Sequence, residues 1–116
     1  MVDVSYVPQR GDLVWVTLDP TDGHEQAGRR PALVISPTEF NKIIRMAMMC
    51  AITTKAKGGG LEVPLPSGLK TIGVVMVHQI RCMAYRERGV EFIQAAPASL
   101  LDEVLGKLSA LIFDES

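Results

Sequence analysis

The chain has 116 residues, 47% of them hydrophobic and 22% charged, which suits one soluble globular domain over residues 1–116 and excludes a low-complexity or disordered chain. The longest uninterrupted apolar run, Met46 to Ile52, is too short to cross a bilayer, and the N-terminal residues lack the basic-then-apolar pattern of a signal peptide. A cytoplasmic protein without a membrane partner is therefore expected. The net charge of −1 hides an uneven distribution: Arg29 to Arg88 holds ten basic residues against three acidic ones, and the flanks hold ten acids against two bases. A polyanion partner needs such a local positive field rather than a high overall isoelectric point.

In chain order, "VPQRGD" (7–12) is a turn and "LVWVTL" (13–18) a near-continuous apolar run, suited to a strand buried on both faces. Trp15 and Tyr6 are read as core residues. "DPTDG" (19–23) is a second turn, and a polar loop continues through His24, Glu25, Gln26, Arg29 and Arg30. "PALVIS" (31–36) is the second strand, with Pro31 at its start, where a missing N–H does least harm. "PTEFNK" (37–42) reads as a short helix, and "RMAMMCAITT" (45–54) as a third strand. "KAKGGG" (55–60) is a basic, flexible loop, and "LEVPL" is an edge strand by its Pro64. "TIGVVMV" (71–77) is a further strand, with "QIRCMAY" (79–85) continuing it or pairing beside it, and "VEFIQAA" (90–96) is the last.

The period then changes. Leu100, Leu101, Val104, Leu105, Leu108, Leu111 and Ile112 repeat at helical spacing, with Pro97 at the first helical position and Ser99 and Asp102 as a weak capping box. Gly106 inside this helix suggests a close contact. The pattern predicts an α+β domain: a small, strongly twisted antiparallel β-sheet or open barrel with a C-terminal helix on it. Cys50 and Cys82 both fall in apolar segments and are expected to be buried and reduced. No ligand pair has a common zinc spacing, so no metal or other cofactor is expected.

Three polar groups interrupt the apolar scaffold. The first is His24, Glu25, Gln26, Arg29 and Arg30; the second is Thr53, Thr54, Lys55 and Lys57; the third is His78, Gln79 and Arg81. If their strands neighbour one another, a carboxylate, histidines, guanidiniums and hydroxyls converge. The chain has no Gly-rich phosphate loop, no carboxylate cluster for Mg²⁺ and no nucleophile motif. RNA brings its own nucleophile, the 2′-hydroxyl. Cleaving it needs a base, an acid and positive charge on the phosphorane oxygens, and arginine suits the last task because it stays protonated and binds phosphate bidentately.

These same residues carry a resemblance. "RGDLVWVTLDPTDGHEQAGRRPALVIS" strongly resembles the start of the MazF/PemK (Kid-like) toxins of bacterial type II toxin–antitoxin modules, and "ITTKAKG", "GVVMVHQIR" and the C-terminal helix follow in the family's order. The likeness runs from about Tyr6 to Ile112. It implies the CcdB/MazF toxin fold, an SH3-like barrel with a C-terminal helix, usually as a homodimer. It also implies a metal-independent endoribonuclease that cuts single-stranded RNA, typically mRNA, at short sequences and so inhibits translation and growth. The implied products are a 2′,3′-cyclic phosphate and a 5′-hydroxyl. By the same resemblance the catalytic residues are Arg30, Thr53 and Glu25. His24, Gln26, Arg29, Thr54, Lys55, Lys57, Gln79 and Arg81 would line the RNA. Many members carry Asp where this chain has His78, which makes His78 the candidate general base. The implied protein partner is a MazE-like antitoxin with an acidic, disordered tail. Two alternatives stand beside this reading: a CcdB-like gyrase poison, whose Trp-Gly-Ile terminus is replaced here by "IFDES", and a degenerate member that only binds RNA or antitoxin.

Overall fold

The computed structural model describes residues 5–18 and 28–115. Six strands form one antiparallel sheet: β1 (Asp12–Thr17), β2 (Arg29–Val34), β3 (Ala47–Thr53), β4 (Glu62–Pro64), β5 (Val74–Met83) and β6 (Glu91–Ala95). Their order across the sheet is β4-β5-β3-β2-β1-β6. Two helices complete the described chain, α1 (Thr38–Ile44) between β2 and β3 and α2 (Ala98–Phe113) after β6. Among the described residues no helix is long and apolar enough to cross a membrane.

The central strands are apolar at nearly every position because both sheet faces are covered. On one face, Leu13, Leu33, Cys50, Ile52, Val75 and Val77 pack with Leu100, Val104 and Leu108 of α2. These helix positions are four apart, so one stripe of α2 meets the sheet. On the other face, Val14, Val16, Ala32, Val34, Ala47, Met49 and Met83 pack with Tyr85 and Val90, and Tyr6, Val7 and Leu18 border them. Consecutive strand residues therefore enter different cores, which is why the run over residues 13–16 shows little polar alternation.

Among the described residues, buried polar groups are few and paired. Asn41 of α1, fully buried, donates to Pro8 O at 2.8 Å and to Ser36 O at 3.1 Å, and accepts the Ser36 hydroxyl. Tyr85 donates its hydroxyl to Asn41 O at 3.0 Å. Tyr6 donates to the Asp12 carboxylate, and burial together with that carboxylate raises the phenol above its ordinary range. Beyond β4, the backbone N–H of Lys70 donates to the Gln94 side chain on β6 at 2.6 Å. The connection between β4 and β5 is thereby tied to β6, at the opposite edge of the sheet.

Several sequence expectations change. The second strand begins at Arg29, not Pro31, because Arg29 and Arg30 pair with Thr17 and Val16 of β1. The third begins at Ala47, because Arg45 adopts a left-handed conformation (φ 59°) that closes α1. Of the two readings for residues 71–77 and 79–85, continuation holds: one strand, β5, runs through both, with its ends drawn in to Val74 and Met83. Trp15 is 39% exposed rather than core, and Cys82 is exposed rather than buried. Pro97 caps α2 from outside, and no side-chain hydrogen bond forms at that cap, so the Ser99–Asp102 box is absent. Gly106 faces open space rather than a close neighbour.

Candidate functional site

The polar residues of β2 and β3 meet through strand register. Ala32 pairs with Ala51 and Val34 with Met49. Continuing this antiparallel register by two positions sets Arg30 across from Thr53. Thr53 in turn pairs with Val74 of β5, which pairs with Pro64 of β4. Side chains in one such row share a face, with neighbouring strands about 4.8 Å apart. Arg30 and Thr53 thus lie on the face away from α2, at the open end of its core.

Arg29 belongs to the opposite face. Its guanidinium donates to the Thr17 hydroxyl at 3.1 Å and to Gly89 O at 2.9 Å, and it forms an ion pair with Glu91. Arg30 is exposed and, among the described residues, has no hydrogen-bond or ion-pair partner. The two arginines are chemically alike and physically unlike: one is neutralised and held, and the other's fork of five donors meets no partner among the described residues.

Thr53 is half-buried at the end of β3. Its hydroxyl oxygen accepts the backbone N–H of Lys55 at 3.1 Å. With an acceptor position already used, the hydroxyl hydrogen remains to donate outward, and an anionic oxygen is the partner it suits. Gly73 backs this point of the strand. A Cβ on Gly73 would overlap the carbonyl oxygen of Thr53, and its φ of 127° is one that side-chain-bearing residues rarely adopt. No sequence pattern marked Gly73 as part of the site.

The third polar group enters through an irregularity. Between Cys50 and Ile52 of β3 the pairing to β5 shifts from Ile80 to Val75, so residues 76–79 bulge against a single residue, Ala51. His78 and Gln79 project from this bulge and are exposed. His78 lies near enough to Glu62 of β4 to stabilise that carboxylate's charge. Arg81 pairs with Met49, four residues along β3 from Thr53, or roughly 13 Å away at strand rise. The structure thus joins Arg30, Thr53 and the base of the Lys55–Lys57 loop, sets His78 and Gln79 one strand further, and leaves Arg81 apart. Thr54 is exposed and follows Thr53 beyond the strand end.

His24, Glu25 and Gln26 lie outside the described residues. The root of their loop is described: Leu18 N–H donates to Gly28 O at 2.7 Å, and Arg88 donates to Thr17 O at 3.2 Å and Leu18 O at 2.6 Å. Arg88, read from sequence only as part of the basic span, is a clamp on that root.

Similarity to known proteins points one way. Residues 9–112 match the family described as PemK-like, MazF-like toxin of type II toxin–antitoxin system. The chain is 41% identical over 107 residues to the Endoribonuclease toxin MazF of Escherichia coli K12, covering 92% of this chain and 96% of that one. Its fold superposes on the crystal structure of MazF (Form-I) from Deinococcus radiodurans with a TM-score of 0.84 at 46% identity, over 92% of this chain and 97% of the other. A chain from the crystal structure of MazE-MazF (Form-II) of the same organism matches with a TM-score of 0.83 at 40% identity, over 95% and 99%.

Proposed function

The chain belongs to the PemK-like, MazF-like toxin family of type II toxin–antitoxin systems, whose members are endoribonucleases, and from that premise we propose that it cuts single-stranded RNA by attack of the 2′-hydroxyl on the adjacent phosphate. The observation that carries this reading is the strand register that sets Arg30 across from Thr53: a guanidinium without a partner among the described residues, in line with a hydroxyl that already accepts the Lys55 N–H.

In the proposed reaction the 2′-oxygen bonds to phosphorus as a base takes its proton. The bond from phosphorus to the 5′-oxygen then breaks, and that oxygen receives a proton. A 2′,3′-cyclic phosphate and a 5′-hydroxyl result. Arg30 neutralises the charge that grows on the non-bridging oxygens, and Thr53 holds one of them. His78 and Glu25 are the candidate bases; a histidine suits proton transfer near neutral pH. Because the substrate supplies the nucleophile and Arg30 supplies the charge, the reaction proceeds without a metal. Lys55, Lys57, Gln79, His24, Gln26, Thr54 and Arg81 are assigned to the flanking nucleotides. Arg29 is assigned to positioning: its bonds hold β2 against β1 and β6 so that Arg30 is presented from a rigid strand.

We assign the working form as a homodimer. Its protein partner is a MazE-like antitoxin whose acidic, disordered tail competes with RNA for the basic face. The likeness to the chain solved in MazE-MazF from Deinococcus radiodurans supports such a partner. The test is incubation with a long single-stranded RNA in excess EDTA. Cleavage leaving 5′-hydroxyl ends is expected; intact RNA with folded protein overturns the reading.

A further inference from the structure

The loop from Lys55 to Gly60 carries two lysines and three consecutive glycines and begins just after Thr53 and Thr54. Glycine runs of this kind have wide conformational freedom, and an unrestrained loop would hold its lysines in no fixed place. The structure restrains it at both ends. At the first, Thr53 accepts the Lys55 N–H. At the second, the Glu62 carboxylate accepts the Lys57 N–H on both oxygens at 3.0 Å and the Gly58 N–H at 2.8 Å. The Glu62 backbone N–H also donates to Gly59 O at 3.2 Å. Gly58, at φ 81°, supplies the left-handed step that turns these donors toward one acceptor.

Glu62 stands in the row that pairs with Met76, next to the row holding Pro64, Val74 and Thr53 and on the same face. A carboxylate there repels an approaching polyanion, so its charge does not serve RNA binding directly. Its hydrogen bonds do something an apolar residue could not: they close the loop on itself, next to the strand end where Thr53 accepts the Lys55 N–H.

We propose that Glu62 is a positioning residue of the nuclease site, holding the Lys55–Gly60 loop in the shape that receives RNA. This rests on the endoribonuclease reading above. The side chain touches no reacting atom; it acts through the loop, by lowering the conformational freedom that RNA binding would otherwise have to remove.

Two substitutions separate this role from a charge effect. Glu62→Ala removes both the acceptor and the charge. Glu62→Gln removes the charge but keeps Oε1, which receives both Lys57 and Gly58. In steady-state cleavage of a fluorogenic single-stranded RNA, Glu62→Ala is expected to raise KM on the order of tenfold with kcat changed little, and Glu62→Gln to return KM to the wild-type value or below. Amide hydrogen exchange of the free protein, which reads the loop without substrate, should accelerate at Lys57 and Gly58 in Glu62→Ala and much less in Glu62→Gln. An unchanged or lowered KM in Glu62→Ala overturns the proposal, as does unchanged exchange at those two amides. If wild-type protein fails to cleave while the exchange result holds, the nuclease reading fails and the loop restraint stands.

Discussion

Arg29 and Arg30 share a peptide bond and serve opposite faces of one strand. Arg29 is bound to Thr17, Gly89 and Glu91 on the helix side, and Arg30 faces away from that helix, without a partner among the described residues, in line with Thr53 by continuation of the β2–β3 register. The two-residue period of a β-strand produces this division. A basic pair that looks redundant in the sequence divides into one residue held by its neighbours and one left exposed.

Their substitution should therefore have opposite signatures. Arg30→Ala is expected to lower kcat/KM for RNA by about 10²- to 10³-fold, as loss of a transition-state donor does, with stability changed by less than about 0.5 kcal/mol. Arg29→Ala is expected to lower unfolding free energy by roughly 1–2 kcal/mol, because partly exposed charged hydrogen bonds are lost, with a smaller effect on kcat. Urea unfolding and single-turnover cleavage on the same two variants check both halves.

The Thr53 hydroxyl accepts from Lys55 and keeps its hydrogen for the phosphate contact proposed above, so both contacts need oxygen. Thr53→Val preserves the β-branched shape and should reduce cleavage by about 10²-fold, the lower end of the range for loss of one neutral donor to a developing charge. Thr53→Ser should recover most of the activity. Equal activity in the valine variant would remove Thr53 from the site.

Gly73 makes the backbone of Thr53 sensitive to a residue far away in sequence. Gly73→Ala drives a methyl group into Thr53 O at a φ of 127°. A loss of about 2–4 kcal/mol is expected from the combined strain and overlap, together with reduced cleavage even in the folded fraction. Thermal unfolding and activity normalised to folded protein separate the two effects.

The cysteines should differ in reactivity. Burial pushes the Cys50 thiol up to about 12, and it makes a weak S–H donation to Val77 O at 3.9 Å, whereas Cys82 is exposed. Alkylation at mildly alkaline pH should modify Cys82 alone in the native protein and both thiols after unfolding, as read by intact mass.

Glu62 also predicts a pH dependence. The Lys57 N–H, with those of Gly58 and Gly59 and the nearby His78, holds its carboxyl below the usual carboxylate value. A lowered folded-state value means that the ionised form holds the loop amides more tightly than the protonated form, which keeps only a neutral carbonyl acceptor. That contribution is fully present above the ordinary glutamate range and is lost as pH falls through the lowered value. The Lys57 and Gly58 amide resonances should stay constant from neutral pH down to about 5 and shift only in stronger acid. A midpoint at or above the ordinary value would contradict these contacts.

Much of the fold was legible because it depends on patterns that repeat. The β-runs, the edge character conferred by Pro64 and the single stripe of α2 follow from hydrophobic period and proline chemistry. The boundaries at Arg29 and at Arg45 were not legible. A charged residue in a strand looks like loop until its cross-strand partner is known, and a left-handed arginine leaves no local mark. The exposure of Cys82 and Trp15 was hidden for a related reason: an apolar neighbourhood in sequence does not say which face a strand end leaves uncovered.

By itself the sequence determined that this chain forms a sheet with a C-terminal helix and that its positive charge lies in the middle span, and it singled out Arg30 and Thr53 as the proposed site. Tertiary structure alone decided that Arg29 is spent on Glu91, that Gly73 supports Thr53, and that Glu62 restrains the lysine loop. Local pattern reports what each residue prefers along its own strand. Strand register and bulges bring distant residues together, and these are set by the packing of the whole sheet.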